Sequence, residues 1–178
     1  MSRWRPGDRR PDRASMLRVD QAGEYGATRI YAGQLAVLRR NCPEAKLVAR
    51  MASQEQRHLD RFNRLMSDRR VRPTALQPIW NVAGFALGAV TALMSEKAAL
   101  ACTDAVETEI DRHYGEQLRQ IGSDDPELAA DIAEFRDEEV EHRDIARKAG
   151  ATNAVGYPIL TAAIRAACRV AIGLSKRI

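Results

Sequence analysis

The chain has 178 residues, enough for one domain with a full hydrophobic core, and 45% of them are apolar while only 5% are aromatic. Alanine, leucine, isoleucine and valine dominate the apolar content, which favours a helix bundle over a β-sandwich. The formal net charge of +4 would suit an anionic membrane surface or nucleic acid. We expect no nucleic acid partner, because aromatic stacking residues are scarce and no nucleic-acid-binding motif accompanies the charge.

The first 14 residues form a basic segment that we predict to be a flexible tail, followed by a single helical domain over residues 15–178. Residues 1–20 contain six arginines and no hydrophobic stretch of the kind found in signal peptides. Asp8 and Asp12 argue against a mitochondrial transit peptide, which is usually poor in acidic residues. The three cysteines are widely spaced, so we expect them to be small, buried, reduced residues.

Two long helices are predicted next, over residues 15–41 and 43–70. On the first, Glu24 shares a face with apolar residues at helical spacing. Pro43 is well placed to open the second helix, on which Glu55 and His58 interrupt an apolar stripe. Residues typical of metal sites therefore lie on otherwise apolar faces.

Residues 73–95 contain no charged side chain. Within this segment we predict an uncharged interfacial helix over residues 78–94, because its apolar core is shorter than the ~20 residues of a transmembrane helix and includes Asn81. The arginines just before it, at positions 69, 70 and 72, would suit anionic lipid head groups.

Three more helices complete the prediction. Residues 96–121 and 126–149 form two further members of a bundle, with Gly122 ending the first and Pro126 opening the second. A last amphipathic helix over residues 155–175 carries Arg165 and Arg169 and is followed by a basic end. Strand patterns are absent from the sequence.

A Glu-x-x-His pair occurs twice, and each pair has an isolated glutamate 31 or 32 residues upstream. On a helix, positions i and i+3 share a face, so each pair aims a carboxylate and an imidazole at one spot. The two half-sites are formed by Glu24, Glu55, His58, Glu107, Glu139 and His142. This is the ligand set of dinuclear carboxylate sites in four-helix bundles. Burying four acids without a cation would be prohibitively costly, and the donor set suits iron or manganese better than zinc.

Periodicity and the internal repeat separate these acids from their neighbours. Glu107 shares its helical face with apolar residues, whereas Glu109 points roughly 200° away at about 100° per residue. Glu138 corresponds to Gln54 in the first half, so only Glu55 and Glu139 repeat as acids. The remaining acids are predicted to form solvated faces or to hydrogen-bond the ligands: Asp104, Glu109, Asp111, Asp137, Glu138, Glu141 and Asp144.

Several residues keep two interpretations at this point. His113 is either a surface or ligand-supporting histidine, or with Tyr114 part of a proton or electron relay. The tyrosines at positions 25, 31 and 114 are either hydrogen-bonded core residues or redox groups. Gly23, Gly26 and Gly33 on the first helix either allow close helix packing or leave room for a bulky substrate beside Glu24.

Motifs throughout the chain after residue 16 resemble the 5-demethoxyubiquinone hydroxylases, a family of di-iron monooxygenases in ubiquinone biosynthesis. The most specific of them is residues 20–34, DQAGEYGATRIYAGQ. The other matching segments are residues 70–74, 78–81, 84–88, 101–103, 105–107, 135–139 and 167–172. The resemblance implies an all-α, ferritin-like four-helix bundle with a di-iron carboxylate site and additional membrane-interacting helices. The six residues selected above fall on the family's iron ligands, and His113 and Tyr114 match a pair near the metal.

The resemblance also implies a reaction and its partners. Two iron ions and O₂ would hydroxylate the ring of demethoxyubiquinone, with electrons from NADH, and Glu55 and Glu139 would bridge the ions while Glu24 and Glu107 bind terminally. The lipid substrate implies a peripheral membrane protein, on the cytoplasmic face of a bacterial inner membrane or on the matrix side in a mitochondrion. A lipid-binding accessory protein and a homo-oligomer are further expected partners.

Two other functions use parts of the same pattern. A ferritin- or rubrerythrin-like ferroxidase or peroxidase could use the same six ligands, but its task does not need a charge-free segment beside an arginine cluster. The other alternative is a helical scaffold that docks on membranes and has lost its metal, and the intact ligand spacing argues against it.

Overall fold

The computed structural model describes residues 12–177, and the secondary structure of this part of the chain is entirely helical. The helices are α1 (Arg13–Val37), α2 (Pro43–Asp68), α3 (Gln77–Met94), α4 (Glu96–Ile121), α5 (Pro126–Lys148) and α6 (Tyr157–Ser175), with a short 3₁₀ turn, Ala151–Asn153, before α6. The predicted all-α fold is therefore confirmed for the described residues. Most of the predicted basic tail, residues 1–11, lies outside them.

Local capping explains where most of these helices begin. The side chains of Asp12, Cys42, Ser95 and Asp125 each accept a hydrogen bond from a backbone N–H in the first turn of the helix that follows. The end of α1 differs from the prediction, since it stops at Val37 and not at residue 41. Leu38 adopts an extended backbone conformation, and its buried side chain packs into the core between α1 and α2.

Two helical hairpins build the bundle. α1 packs on α2 and α4 packs on α5, and each pair is joined by a short loop, so its members run antiparallel. The described residues form four hydrophobic clusters, of which two lie on opposite sides of the predicted metal ligands. The first cluster contains Met16, Leu17, Phe62, Leu65, Met66, Tyr114, Ile121, Leu128, Ile132 and Phe135. The second cluster contains Ala27, Tyr31, Leu38, Ala45, Val48, Met51, Ala92 and Ala99.

Both clusters contain residues of α1, α2 and α4, and on α5 the partly buried Ile145 packs against the second cluster. On α1, for example, residues 16 and 17 belong to the first cluster and residues 27 and 31 to the second. The six predicted metal ligands lie between the two clusters on all four helices, and each is at most 2% exposed. Apolar packing on both sides therefore closes the middle of the bundle against water.

α3 lies outside the bundle and crosses α1 at a very short distance. A Cβ atom built on Gly33 would lie 2.1 Å from the carbonyl oxygen of Phe85, and one built on Gly88 would lie 1.9 Å from that of Ile30. Only glycine allows the two backbones to approach this closely. Close helix packing is therefore the explanation for Gly33.

α6 packs on α4, and together α3 and α6 leave a large apolar surface exposed. The exposed large hydrophobic residues of the described chain all lie on these helices or just before α6: Ile79, Val82, Phe85, Val90, Leu93, Met94, Val155, Ile159, Val170 and Leu174. Among residues 12–177, α6 is the one helix long and apolar enough to cross a membrane, judged by length and composition alone. We call this surface the α3–α6 face.

Candidate metal centre

The six predicted ligands meet in the middle of the bundle as two overlapping groups. One group, the His58 side, consists of Glu24, Glu55, His58 and Glu139, and the other, the His142 side, consists of Glu55, Glu107, Glu139 and His142. In each group the potential ligand atoms lie within 4.8 Å of one another. Glu55 and Glu139 belong to both groups, which is the arrangement expected of carboxylates that bridge two ions.

The histidines turn the same nitrogen toward the centre. His58 Nδ1 lies 3.1 Å from Glu139 Oε1 and 3.5 Å from Glu24 Oε2. His142 Nδ1 lies 3.1 Å from an oxygen of Glu55 and 3.1 Å from one of Glu139. The Nε2 atoms point outward, so both Nδ1 atoms are available to a metal ion.

The outward nitrogens have different partners. His58 Nε2 lies 2.9 Å from a carboxylate oxygen of Glu138, and His142 Nε2 lies 3.1 Å from the amide oxygen of Gln54. Arg57 donates hydrogen bonds to both oxygens of Glu138, at 2.8 and 3.1 Å. Glu138 is therefore one of the neighbouring acids that support a ligand, as the sequence pattern allowed.

Burial and mutual repulsion perturb the acids. The pKa values of Glu55 and Glu107 are raised well above their usual range, first by burial and then by the charges of neighbouring carboxylates, and the pKa of Glu139 is raised in the same sense. Burial also acts on Glu24, but hydrogen bonding and attraction to His58 outweigh it and lower the pKa. The neighbouring carboxylates overcome the effect of burial on His58 and raise its pKa to about 11.

These observations fit a pair of divalent cations. Four fully buried carboxylates share two imidazoles, and within residues 12–177 the Oε1 atom of Glu55 has no aligned hydrogen-bond donor. Metal ions would supply the missing positive charge and occupy the unused oxygen. Carboxylate oxygens and imidazole nitrogens are donors that suit iron and manganese.

Two tyrosines hold the outer glutamates. The hydroxyl of Tyr114 donates a hydrogen bond to Oε1 of Glu24, and the hydroxyl of Tyr31 donates one to Oε1 of Glu107 at 2.7 Å. Each tyrosine comes from a different hydrophobic cluster. Both are therefore buried hydrogen-bonded residues that orient a carboxylate, while Tyr25 is only half-buried.

Within residues 12–177, no hydrogen bond or ion pair joins His113 to any of the six predicted ligands. It is buried, and its Nε2 atom lies 3.2 Å from Oδ1 of Asp20, which also accepts a hydrogen bond from Gln117 at 2.7 Å. Sequence analysis missed Asp20 and Gln117. Their spacing was a usable signal, since Asp20 is four residues before Glu24 and Gln117 four residues after His113.

The prediction of solvated faces is wrong for Asp104 and Glu109, both of which are buried. Glu109 accepts hydrogen bonds from Arg112 on its own helix and from Arg165 and Arg169 on α6. Asp104 accepts hydrogen bonds from Arg147 of α5 and from Tyr157, the first residue of α6. The two acids attach α6 to α4, and the pattern of α4 alone could not show that another helix covers this face.

An apolar cavity of about 180 Å³ begins beside the centre, between α1, α3, α4 and α6. Gly23 and Val106, which directly precede Glu24 and Glu107, are among its lining residues. A Cβ atom on Gly26, which also lines the cavity, would meet nothing within 4 Å. Gly26 therefore faces open space in the cavity, in contrast to Gly33, whose Cβ would meet the backbone of α3.

The far part of the cavity is bounded by α3 and α6. Trp80 and Ser175 line it, and the indole N–H of Trp80 donates a hydrogen bond to the hydroxyl of Ser175 at 3.1 Å. The other lining residues are apolar, except for the thiol of Cys168. The cavity is therefore suited to a hydrophobic molecule.

Comparison with known proteins gives one family and many close relatives. The family model described as Ubiquinone biosynthesis protein COQ7 matches residues 12–175. A 3-demethoxyubiquinol 3-hydroxylase of Rhodospirillum rubrum is 52% identical over 177 residues, covering 97% of this chain and 82% of the relative. An NADPH-dependent 3-demethoxyubiquinone 3-hydroxylase, mitochondrial, of Homo sapiens is 52% identical over 92% of this chain and 76% of its own. A 5-demethoxyubiquinone hydroxylase, mitochondrial, of Saccharomyces cerevisiae is 45% identical, with 92% and 77% covered.

Proposed function

The chain belongs to the family of ubiquinone biosynthesis protein COQ7, and from this premise we propose that it is a di-iron monooxygenase that hydroxylates the ring of a demethoxyubiquinone. Relatives with 45–52% identity are named as hydroxylases of demethoxyubiquinone or demethoxyubiquinol. The observation that carries the proposal is the apolar cavity lined by Gly23 and Val106, the residues that directly precede Glu24 and Glu107 of the carboxylate–histidine cluster. Its volume of about 180 Å³ is large enough for part of a lipid quinone.

We assign one iron ion to the His58 side and one to the His142 side, with Glu55 and Glu139 shared. An iron pair held by these residues would supply the activation of O₂. One oxygen atom would be inserted into a ring C–H bond and the other released as water, with two electrons and two protons supplied from outside. The protein holds the site for this chemistry. Tyr114 and Tyr31 each occupy one oxygen of an outer glutamate and leave the other oxygen for a metal ion.

The cavity gives the substrate its position. We propose that the quinone ring lies against Gly23 and Gly26, one turn or less from Glu24, and that the isoprenoid tail follows the apolar wall between α3 and α6. Apolar walls bind the tail without hydrogen bonds, and the two hydrophobic clusters keep bulk water away from the reacting ring.

The α3–α6 face is the part of the molecule that we propose contacts the bilayer. It exposes apolar side chains on two helices that also line the cavity, so a lipid tail could pass from the membrane to the centre. This supports peripheral attachment to a membrane, on the cytoplasmic face of a bacterial inner membrane or the matrix side in a mitochondrion. An accessory lipid-binding protein and self-association remain predictions, and α3 is the surface on which to test them.

A reduced nicotinamide nucleotide is the proposed source of electrons. The resemblance of the motifs implied NADH, whereas several relatives are named NADPH-dependent. Both nucleotides should therefore be compared with the purified protein, NADPH first.

The test of the function is a lipid analysis of a host that lacks its own hydroxylase. We expect the gene to convert accumulated demethoxyubiquinone to ubiquinone, and Glu139→Ala to abolish the conversion. Glu141→Ala is the matched control, since Glu141 lies on the same helix with a side chain that is 60% exposed. Persistence of the intermediate, with a purified protein that binds iron and oxidises it with O₂, would replace the hydroxylase by a ferroxidase.

A further inference from the structure

The two sides of the metal centre are matched in almost every respect. Each has one outer glutamate held by a tyrosine, one histidine with Nδ1 turned inward, and a share of Glu55 and Glu139. The internal repeat accounts for this symmetry, because Gln54–His58 and Glu138–His142 are equivalent segments of α2 and α5. A difference between equivalent positions of the repeat is therefore a difference between the two metal positions.

The repeat differs at the residue that precedes each shared glutamate. This residue is Gln54 on α2 and Glu138 on α5, and each supports the histidine of the opposite helix. His142 thus donates its outer N–H to a neutral amide oxygen, whereas His58 donates to a carboxylate. Arg57 fixes that carboxylate through two hydrogen bonds.

A carboxylate behind a metal-bound imidazole has a known physical effect. It fixes the ring, favours the tautomer with the proton on the outer nitrogen, and increases the basicity of the nitrogen that binds the metal. An amide oxygen fixes the ring in the same way but contributes only a partial charge. Loss of such an outer partner typically lowers metal affinity by roughly 10- to 100-fold.

We propose that Glu138 and Gln54 are positioning residues that make the two metal sites unequal, so that the His58 side binds the first divalent cation and the His142 side binds the second. The proposal rests on the metal centre of the proposed function. The ring stacking of Phe135 on His58, at 4.1 Å between centroids, is a further difference between the sides, but it adds no charge.

The test titrates the metal-free protein with Co²⁺ alone and measures both stepwise dissociation constants by calorimetry. Anomalous scattering from crystals grown with one equivalent of Co²⁺ then identifies the side that is filled first. We expect the wild-type chain to fill the His58 side first. Glu138→Gln should weaken the tighter site by about 10- to 100-fold and bring the two constants close together.

The decisive variant exchanges the two residues, Gln54→Glu with Glu138→Gln. It preserves the composition of the site and should move the first Co²⁺ to the His142 side, a reversal that a merely structural role would not produce. The exchange variant could instead bind two equivalents of Co²⁺ and still fill the His58 side first. That result would overturn this inference and leave the hydroxylase proposal intact. Failure of the wild-type chain to bind Co²⁺ would also overturn this inference, whereas the hydroxylase proposal is decided by the lipid analysis.

Discussion

At the scale of single residues, an incoming metal ion must displace the protons that the buried histidine and glutamate side chains of the centre hold. The neighbouring carboxylates raise the pKa of His58 to about 11, and burial together with like charges raises the pKa of Glu55 and Glu107. Metal ligands must be deprotonated. The metal-free fold therefore keeps protons at a pH where the free side chains would have lost them.

This leads to a prediction about pH. Since His58 is protonated below about pH 11 in the metal-free fold, each protein molecule should release at least one proton when it binds metal at pH 7. The affinity for metal should rise with pH, because higher pH removes the competing protons. Calorimetry in buffers with different heats of ionisation measures the number of protons, and a heat that is independent of the buffer would contradict the prediction.

The cavity gives a second prediction for a single residue. Gly26→Leu should place a side chain in the cavity, which none of the predicted metal ligands lines, and so block the quinone. We expect conversion of demethoxyubiquinone to fall at least about tenfold, since the added side chain fills space that the substrate needs, while the bound metal content is unchanged. Gly173→Leu is the control, because this exposed glycine on α6 also has open space around it. Equal activity of the two variants would mean that the substrate lies elsewhere.

Sequence analysis succeeded in predicting which residues lie together when their position is set by local spacing. The six predicted ligands follow from the i, i+3 pairs and the repeat, and the structure brings all of them together. It failed for Glu109, because the burial of that residue depends on α6, which approaches from more than 50 residues away along the chain. The partnership of His113 with Asp20 depends in the same way on the packing of α4 against α1.

At the scale of helices, the boundaries were largely predictable because capping is local. Pro43 and Pro126 were predicted to open helices, and α2 and α5 begin at these residues. The position of α3 was not predictable. Its close crossing with α1 depends on glycines from both helices meeting in space, and no single segment contains that information.

The crossing predicts a large effect of a small change. Gly33→Ala would place a Cβ atom 2.1 Å from the carbonyl oxygen of Phe85, so the helices must separate. Strain of this kind typically costs about 1–3 kcal/mol, which urea unfolding should detect as a lower free energy of unfolding. Gly173→Ala, in an exposed position with free space, should instead be neutral or stabilising by about 0.5–1 kcal/mol. If Gly33→Ala did not lower the free energy of unfolding below that of the wild type, the crossing would tolerate a methyl group.

At the scale of the whole molecule, hydrophobic residues are distributed unequally over the surface. Within residues 12–177, the large hydrophobic side chains that are exposed all belong to the α3–α6 face, and α2 carries none of them. Many exposed apolar side chains on one part of a helical bundle mark an interaction site. The sequence indicated both segments, because one lacks charge and the other is apolar until its arginines.

Membrane binding through this face is testable with vesicles that contain anionic lipid. Val82→Asp and Val170→Asp change residues that are 69% and 61% exposed, and burial of a valine side chain is worth roughly 1.5–3 kcal/mol. Each substitution should therefore weaken vesicle binding by about tenfold or more, measured by co-sedimentation. Ser53→Asp on the exposed side of α2 is the control and should bind like the wild type. Equal binding of all three variants would exclude the face as the contact.

The contact between α2 and α5 has the opposite character from the α3–α6 face. Arg57, Arg61 and Arg69 of α2 pair there with acids on or just before α5, and the Glu138 side chain behind His58 is 21% exposed. The candidate metal centre therefore lies between an apolar cavity on the α3–α6 side and a charged, water-facing contact on the α2–α5 side. In the proposed function, a lipid reactant would arrive through the first side, and protons from water would reach the centre through the second. The two reactants would then meet at the centre without water entering the apolar cavity.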